Sequence, residues 1–273
     1  MRKIWRILAL VTMLAMASVS GQAQWSKLYK MYKAASGAYK AYKAYNLTDK
    51  ELAEYARESM KVMDSQNKVC STSNAYAKRL QKITKGLTSI NGTKLNFKVY
   101  ADNETANAFA CPDGSVRVYS RLMDIMTDEE ILGVISHEIG HVACKHSLKE
   151  YKAALYASAA RDGLSMGDGT IAEIAQSSLG ELAEGLVNAK YSRTQESEAD
   201  DFGYKFLKSH GKNPWYIAMS LQKLLDSQKG GLSNKYARAL KTMFSTHPDL
   251  QKRVEKLSAR AKKRRLQETI DNS

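Results

Sequence analysis

Hydrophobic and polar positions divide the chain into stretches of different period. An apolar run from Ile7 to Ala17 comes first, shorter than the ~20 residues a membrane-spanning helix requires. Tyr29, Tyr32, Tyr39, Tyr42 and Tyr45 then recur at spacings of three and seven, with Lys30, Lys33, Lys40 and Lys43 between them. This pattern predicts a helix with a tyrosine stripe. Thr48, with Glu51 three residues on, forms a capping box and opens a new helical stretch. That stretch reaches about Leu87 and is interrupted near residues 67–73. Leu95, Phe97 and Val99 alternate with Asn96, Lys98 and Tyr100, the period of a half-buried strand. Residues 107–110 and 115–120 flank Pro112-Asp113-Gly114, a hairpin turn signal. From Thr127 onward the pattern is helical except at 162–170, 211–214 and 230–233. The expected class is α+β and predominantly α-helical, with a small β-sheet. No solenoid repeat or long linker is visible.

Arg2, Lys3 and Arg6 precede the apolar run, and Gly21-Gln22-Ala23 follows it. Together they read as a signal peptide over residues 1–23; the competing reading is an uncleaved anchor. Residues 24–46 are then an N-terminal Tyr/Lys-rich helix, packed on its parent domain or docked at a membrane surface. Residues 47–273 form the main domain. The formal net charge of the whole chain is +14. Nucleic acid is not the expected partner of an exported protein, so the charge is either a solvated basic surface or an attraction to an anionic envelope. The expected location is the periplasm. Cys70, Cys111 and Cys144 are too few for a disulfide framework. Counting leaves a Cys70–Cys111 bridge open, with Cys144 a small buried residue inside a helix.

The chemistry is concentrated in two segments. Thr127-Asp128-Glu129-Glu130 caps a helix that runs into His137-Glu138-Ile139-Gly140-His141. Histidines at i and i+4 share a helix face with Cβ atoms ~5–6 Å apart, close enough for both imidazoles to meet one ion. Glu138 lies about 100° round the helix, beside the ion, where it can take a proton from water there. With five histidines in the chain, the pattern arises by chance on the order of a few times per thousand. His146 is nine residues beyond His137, which rotates it to the opposite face and excludes it as a ligand. A catalytic zinc needs a third protein ligand and one open position. Glu196 and Asp200, again at i and i+4, supply it: Glu196 as ligand, Asp200 holding a ligand histidine by its second ring nitrogen. Glu198 and Asp201 lack that spacing.

These two segments, the second preceded by Ser192-Arg193, resemble the HtpX/CAAX-prenyl-protease family of gluzincins, and in particular its exported bacterial members of the BepA/LoiP type. Residues 107–114 and His247-Pro248 with Arg253 are similar to the same family's pattern. The resemblance covers roughly residues 47–257. It implies a gluzincin-type domain with the sheet beside the active-site helix, one zinc per chain, and hydrolysis of peptide bonds in protein or peptide substrates, misfolded or envelope proteins among them. It implies further that Asn107, Ala108, Phe109 and Ala110 bind substrate backbone by strand addition. It places His247 near the zinc, steadying the transition state or capping the metal at rest. Arg193 and Arg253 are either oxyanion donors or structural ion-pair partners. A second reading from another class is an envelope chaperone or assembly factor whose zinc site is largely autoinhibited.

Overall fold

The computed structural model describes residues 42, 46–165, 171–230 and 234–271. Residues 1–23, expected to be a signal peptide, and the tyrosine stripe apart from Tyr42 lie outside them. Two compact units partition the chain: a smaller one of Met1–Leu47 with Leu155–Ser178, and a larger one of Thr48–Ala154 with Leu179–Ser273. In the smaller unit Asn46 closes a helical turn, its backbone and side-chain N–H groups both donating to the Tyr42 carbonyl. Every candidate site residue belongs to the larger unit. No described helix is long and apolar enough to cross a membrane.

The larger unit begins with α1 (Asp49–Gln66) and α2 (Ala75–Ile83). The capping box at Thr48 forms in both directions, which supplies partners to backbone N–H groups a helix start leaves bare. Short strands β1 (Ser89–Ile90) and β2 (Thr93–Lys94) make a hairpin around Asn91 and Gly92, both at positive φ. β3 (Asn96–Tyr100), β4 (Ala108–Ala110) and β5 (Ser115–Tyr119) form a sheet of order β3-β5-β4. The Pro-Asp-Gly turn produces an antiparallel β4–β5 pair, with Gly114 at φ +87 where only glycine is unstrained. β3 pairs with β5 in parallel, so β5 is central and β4 is an edge. Tyr100, expected to face outward, is instead buried, because its hydroxyl donates to Asp64 at 2.7 Å.

α3 (Ser120–Ile125) leads to α4 (Asp128–Ala143), then α5 (His146–Ser165), α6 (Ile171–Val187), α7 (Arg193–Ser209) and α8 (Tyr216–Gln228). Short α9 (Asn234–Ala239) and α10 (Lys241–Thr246) precede α11 (Leu250–Asp271). α5 continues through Ser165, so residues 162–165, expected in a loop, are helical; weak propensity yields to a helix already propagating.

α4 is the centre of this unit. Every residue from Ile131 to His141 is buried, between α7, α8 and β4. Ile131, Ile135 and Ile139 join Val99, Val116, Val118, Leu207 and Leu221 in one apolar core. The helices touch by their backbones: a Cβ at Gly133 would fall 2.1 Å from the Tyr216 carbonyl oxygen, and one at Gly140 2.5 Å from that of Ala199. Such spacing brings first-turn side chains of α7 within reach of α4.

All three cysteines are free. Cys70 N–H donates to Val99 on β3, whereas Cys111 N–H donates to Ser115 on β5, beyond the opposite edge. Three strand spacings of ~4.8 Å separate those positions, and a disulfide spans at most about 7 Å between Cα atoms. Cys144 is the half-buried C-cap of α4 rather than an interior helix residue.

Candidate metal centre

His137 and His141 stand one turn apart on the buried part of α4. Thr127 and Glu130 fix where that helix starts by a reciprocal capping box. Ser192 and Gln195 do the same for α7, which puts Glu196 in its first turn and Asp200 one turn later. His247 follows α10. The His141 Nε2 atom lies 3.0 Å from His137 Nε2 and 3.3 Å from Glu196 Oε1. Glu196 Oε2 is 3.6 Å from His137 Nε2. His247 Nδ1 lies 3.1 Å from Glu196 Oε1 and 3.3 Å from His137 Nε2. One donor atom from each of these four buried residues therefore falls within 4.8 Å of the others.

This group fits a zinc ion on its own chemistry. Three imidazoles and a carboxylate are donor types zinc prefers. The facing ring nitrogens of His137 and His141 sit in a dry interior, where lone pairs 3.0 Å apart need a shared proton or cation. Glu138 Oε1 is buried without a hydrogen-bond partner. Burial pushes the His141 imidazole well below its ordinary pKa in spite of Glu196, which keeps it neutral with a lone pair to give. Burial opposes charge on Glu196 too, but His247, His137 and His141 outweigh it and hold the carboxyl far down. Glu138 moves the other way: burial raises its carboxyl, with His247 and His137 only partly opposing. Its Oε1 lies 3.4 Å from His247 Nε2.

Asp200 accepts from His137 Nδ1 at 2.8 Å, and from Arg253 Nε at 2.8 Å and Nη2 at 2.7 Å. Burial works against the Asp200 charge, and Arg253 overcomes it. The third guanidinium nitrogen, Nη1, pairs with Glu196 Oε2. Arg253 thus ion-pairs with both Glu196 and Asp200, and its Nη2 lies 3.2 Å from His137 Nδ1 as well. Arg193 is not at the centre: its side chain is 75% exposed and pairs with Asp249 at 2.5 Å. Position N1 of α7 points it outward, into that ion pair.

β4 lies against α4 and carries Ala108, Phe109 and Ala110, all buried. Among the described residues its one strand partner is β5. Asn107 accepts from Tyr119 N–H through its backbone carbonyl at 2.9 Å, while its side-chain Oδ1 is buried with no partner.

Sequence reasoning passes over three residues here. Tyr191 stacks on His141 with ring centroids 3.7 Å apart; the Ser192-x-x-Gln195 capping pattern just after it marks the place. His146 does not turn to the opposite face. α4 ends at Cys144, Lys145 takes φ 61, and the chain doubles back so that His146 Nδ1 lies 3.1 Å from His141 Nδ1. Glu198 Oε2 accepts from His146 Nε2 at 2.9 Å. No sequence signal announces that break, since Lys145 is not a residue expected in a left-handed turn.

Residues 74–261 match peptidase family M48. The chain belongs to peptidase family M48. The matched segment contains all the candidate ligands and their partners. The metalloprotease YcaL of Escherichia coli (strain K12) is 44% identical over 215 residues, 78% of this chain and 81% of its own length. The metalloprotease LoiP of the same strain is 38% identical over 216 residues, 79% and 82% of the two chains. More distant is protease HtpX of Legionella pneumophila subsp. pneumophila, 29% identical over 198 residues, 59% and 69% of the two chains. This M48 chain is a zinc metalloprotease of the HtpX-type gluzincin family, and its own fold is predominantly helical α+β. α1 lies outside the segment shared by the family.

Proposed function

We propose that the protein is a zinc metalloendopeptidase of the cell envelope, with His137, His141 and Glu196 as metal ligands and Glu138 as general base. The observation that carries this reading is the convergence of three ligand side chains from two helices on one buried point, with Glu138 Oε1, which has no hydrogen-bond partner, beside it. Bound zinc lowers the pKa of water and polarises the scissile carbonyl. Glu138 takes the proton of the attacking water and delivers it to the leaving amine, tasks that suit a carboxylate whose pKa is raised toward neutrality. Asp200 holds the His137 ring in the tautomer that presents Nε2 to the metal, and Arg253 keeps both carboxylates ionised. The β4 edge offers its backbone groups to an extended peptide, with Asn107 at its start.

Digestion of a casein-type substrate tests this. Activity should vanish with a chelator, return with zinc, and be absent from Glu138→Gln although that variant holds zinc normally. A fully active Glu138→Gln protein would sink the assignment. The envelope location rests on the 1–23 pattern; N-terminal sequencing of protein from fractionated cells should show a start near Gln24 in the exported fraction. An intact Met1 in the cytosol would contradict it.

One observation favours a second reading for His247. Its Nδ1 lies among the ligand atoms, the place of a resting cap that shuts the fourth zinc position. Under this reading His247→Ala digests casein faster than wild type. A large drop would instead make His247 a transition-state donor. Holdase activity that survives Glu138→Gln in a protein that cleaves little would favour the autoinhibited envelope chaperone.

A further inference from the structure

Asp200 accepts from His137 Nδ1 in direct contact, whereas among the described residues the hydrogen-bond partner of His141 Nδ1 is not a carboxylate. The side chain in that place is another imidazole, His146, with Nδ1 3.1 Å from His141 Nδ1. The rings meet at 65° with centroids 5.2 Å apart, and His146 is 6% exposed. Behind it stands Glu198, whose Oε2 is 2.9 Å from His146 Nε2 and whose side chain is 55% exposed.

From this geometry we infer that Glu198 and His146 form a relay of positioning residues that fixes the tautomer and the orientation of His141. The relay rests on the reading of His141 as a metal ligand. At its surface end the Glu198 carboxylate offers acceptor oxygens, so the 2.9 Å hydrogen bond takes its proton from His146 Nε2. The relay takes His146 in the tautomer with that proton on Nε2, in which Nδ1 is an acceptor. It faces His141 Nδ1 at hydrogen-bond distance, and two lone pairs cannot face each other there. The His141 proton is therefore on Nδ1, and its lone pair is on Nε2, pointing at His137, Glu196 and the metal position. Tyr191, stacked on the His141 face, restrains the ring's tilt, while the hydrogen bond restrains its rotation. Two elements are joined by this device: His146 opens α5 and Glu198 lies in the second turn of α7.

Outer partners of metal-bound histidines typically contribute 10–100-fold to metal affinity. The test is a zinc titration of metal-free protein against a competing chromophoric chelator, with far-UV circular dichroism and the metal-free melting midpoint recorded for each variant. His146→Leu removes the acceptor and should weaken zinc by ~10–100-fold with the metal-free midpoint preserved. Asparagine places Oδ1 where histidine has Nδ1, so His146→Asn should restore most of the affinity. Glu198→Ala, a surface change, should cost less than His146→Leu and cost nothing further when added to His146→Leu or His146→Asn. Wild-type affinity in a folded His146→Leu protein would overturn the relay, as would equal losses for Asn and Leu. A Glu198→Ala effect that persists without His146 would overturn it too. His141→Ala is titrated alongside: if it binds zinc as wild type does, the ligand assignment falls and the relay with it. If only His141→Ala weakens binding, the relay alone is wrong.

Discussion

Arg117 enters the interior of the sheet with its side chain 2% exposed and pairs with the Asp64 carboxylate of α1. Nε and Nη2 donate to Asp64 at 2.8 and 3.0 Å, and Lys98 and Tyr100 donate to the same carboxylate at 2.7 Å each. A buried pair of this kind adds little over apolar packing, yet losing one partner strands the other. Asp64→Ala is therefore expected to cost about 3–5 kcal/mol, read as a lower urea midpoint at unchanged m-value. Burial pushes the Asp64 carboxyl up, but Arg117, Lys98 and Tyr100 together bring it below its ordinary 3.8. A carboxyl whose folded pKa is depressed contributes stability that is complete above the unfolded value and is lost as pH falls through the folded one. Stability should thus decline from about pH 4 downward. Asp64→Asn should remove that part of the decline; an unchanged acid limb in urea melts at graded pH would refute the role.

Between elements, the closest approach is backbone to backbone. Gly140 sits inside the metal-binding turn of α4 and meets Ala199, between Glu196 and Asp200 on α7. A methyl group there has nowhere to go but against the α7 backbone. Gly140→Ala should cost about 1–3 kcal/mol by overpacking and, by moving Glu196 off the histidines, weaken zinc as well. Unchanged stability and zinc affinity in this variant would mean that α7 is free to retreat without consequence. Local signals at this scale are readable in the chain: the boxes at Thr48 and Thr127, the Pro-Asp-Gly hairpin, and the two i, i+4 pairs each depend on neighbours within a turn. Asn91-Gly92 is a readable hairpin signal as well, though the strands it joins are only two residues each. Other features depend on partners distant in sequence. The parallel register of β3 with β5, the inward turn of Tyr100 toward Asp64 and the separation of Cys70 from Cys111 all follow from strand order, which no local period encodes. His146 escapes because helical periodicity assumes a continuing helix, and Lys145 ends it.

For the whole molecule, a metal held only by the folded state stabilises it by mass action. At free zinc near 1,000 times its dissociation constant the gain is about 4 kcal/mol. Removing zinc should lower the thermal midpoint, and the shift should shrink in Glu196→Ala. A midpoint indifferent to chelator would place zinc outside the folding unit. This expectation follows from α4, α7 and the segment after α10, which bring three buried imidazoles and the Glu196 carboxylate together at one point. Cation and scaffold are in that sense one structure, and the sequence distances involved, from His137 to His247, explain why no local pattern reports it complete.

Diffraction at the zinc absorption edge, from crystals of the zinc-loaded protein, would locate the ion without reference to activity. A single strong anomalous peak per chain is expected, bounded by His137 Nε2, His141 Nε2 and a Glu196 oxygen, with His247 beside it. A map without a peak there, or with zinc bound through residues elsewhere, would contradict the shared metal centre.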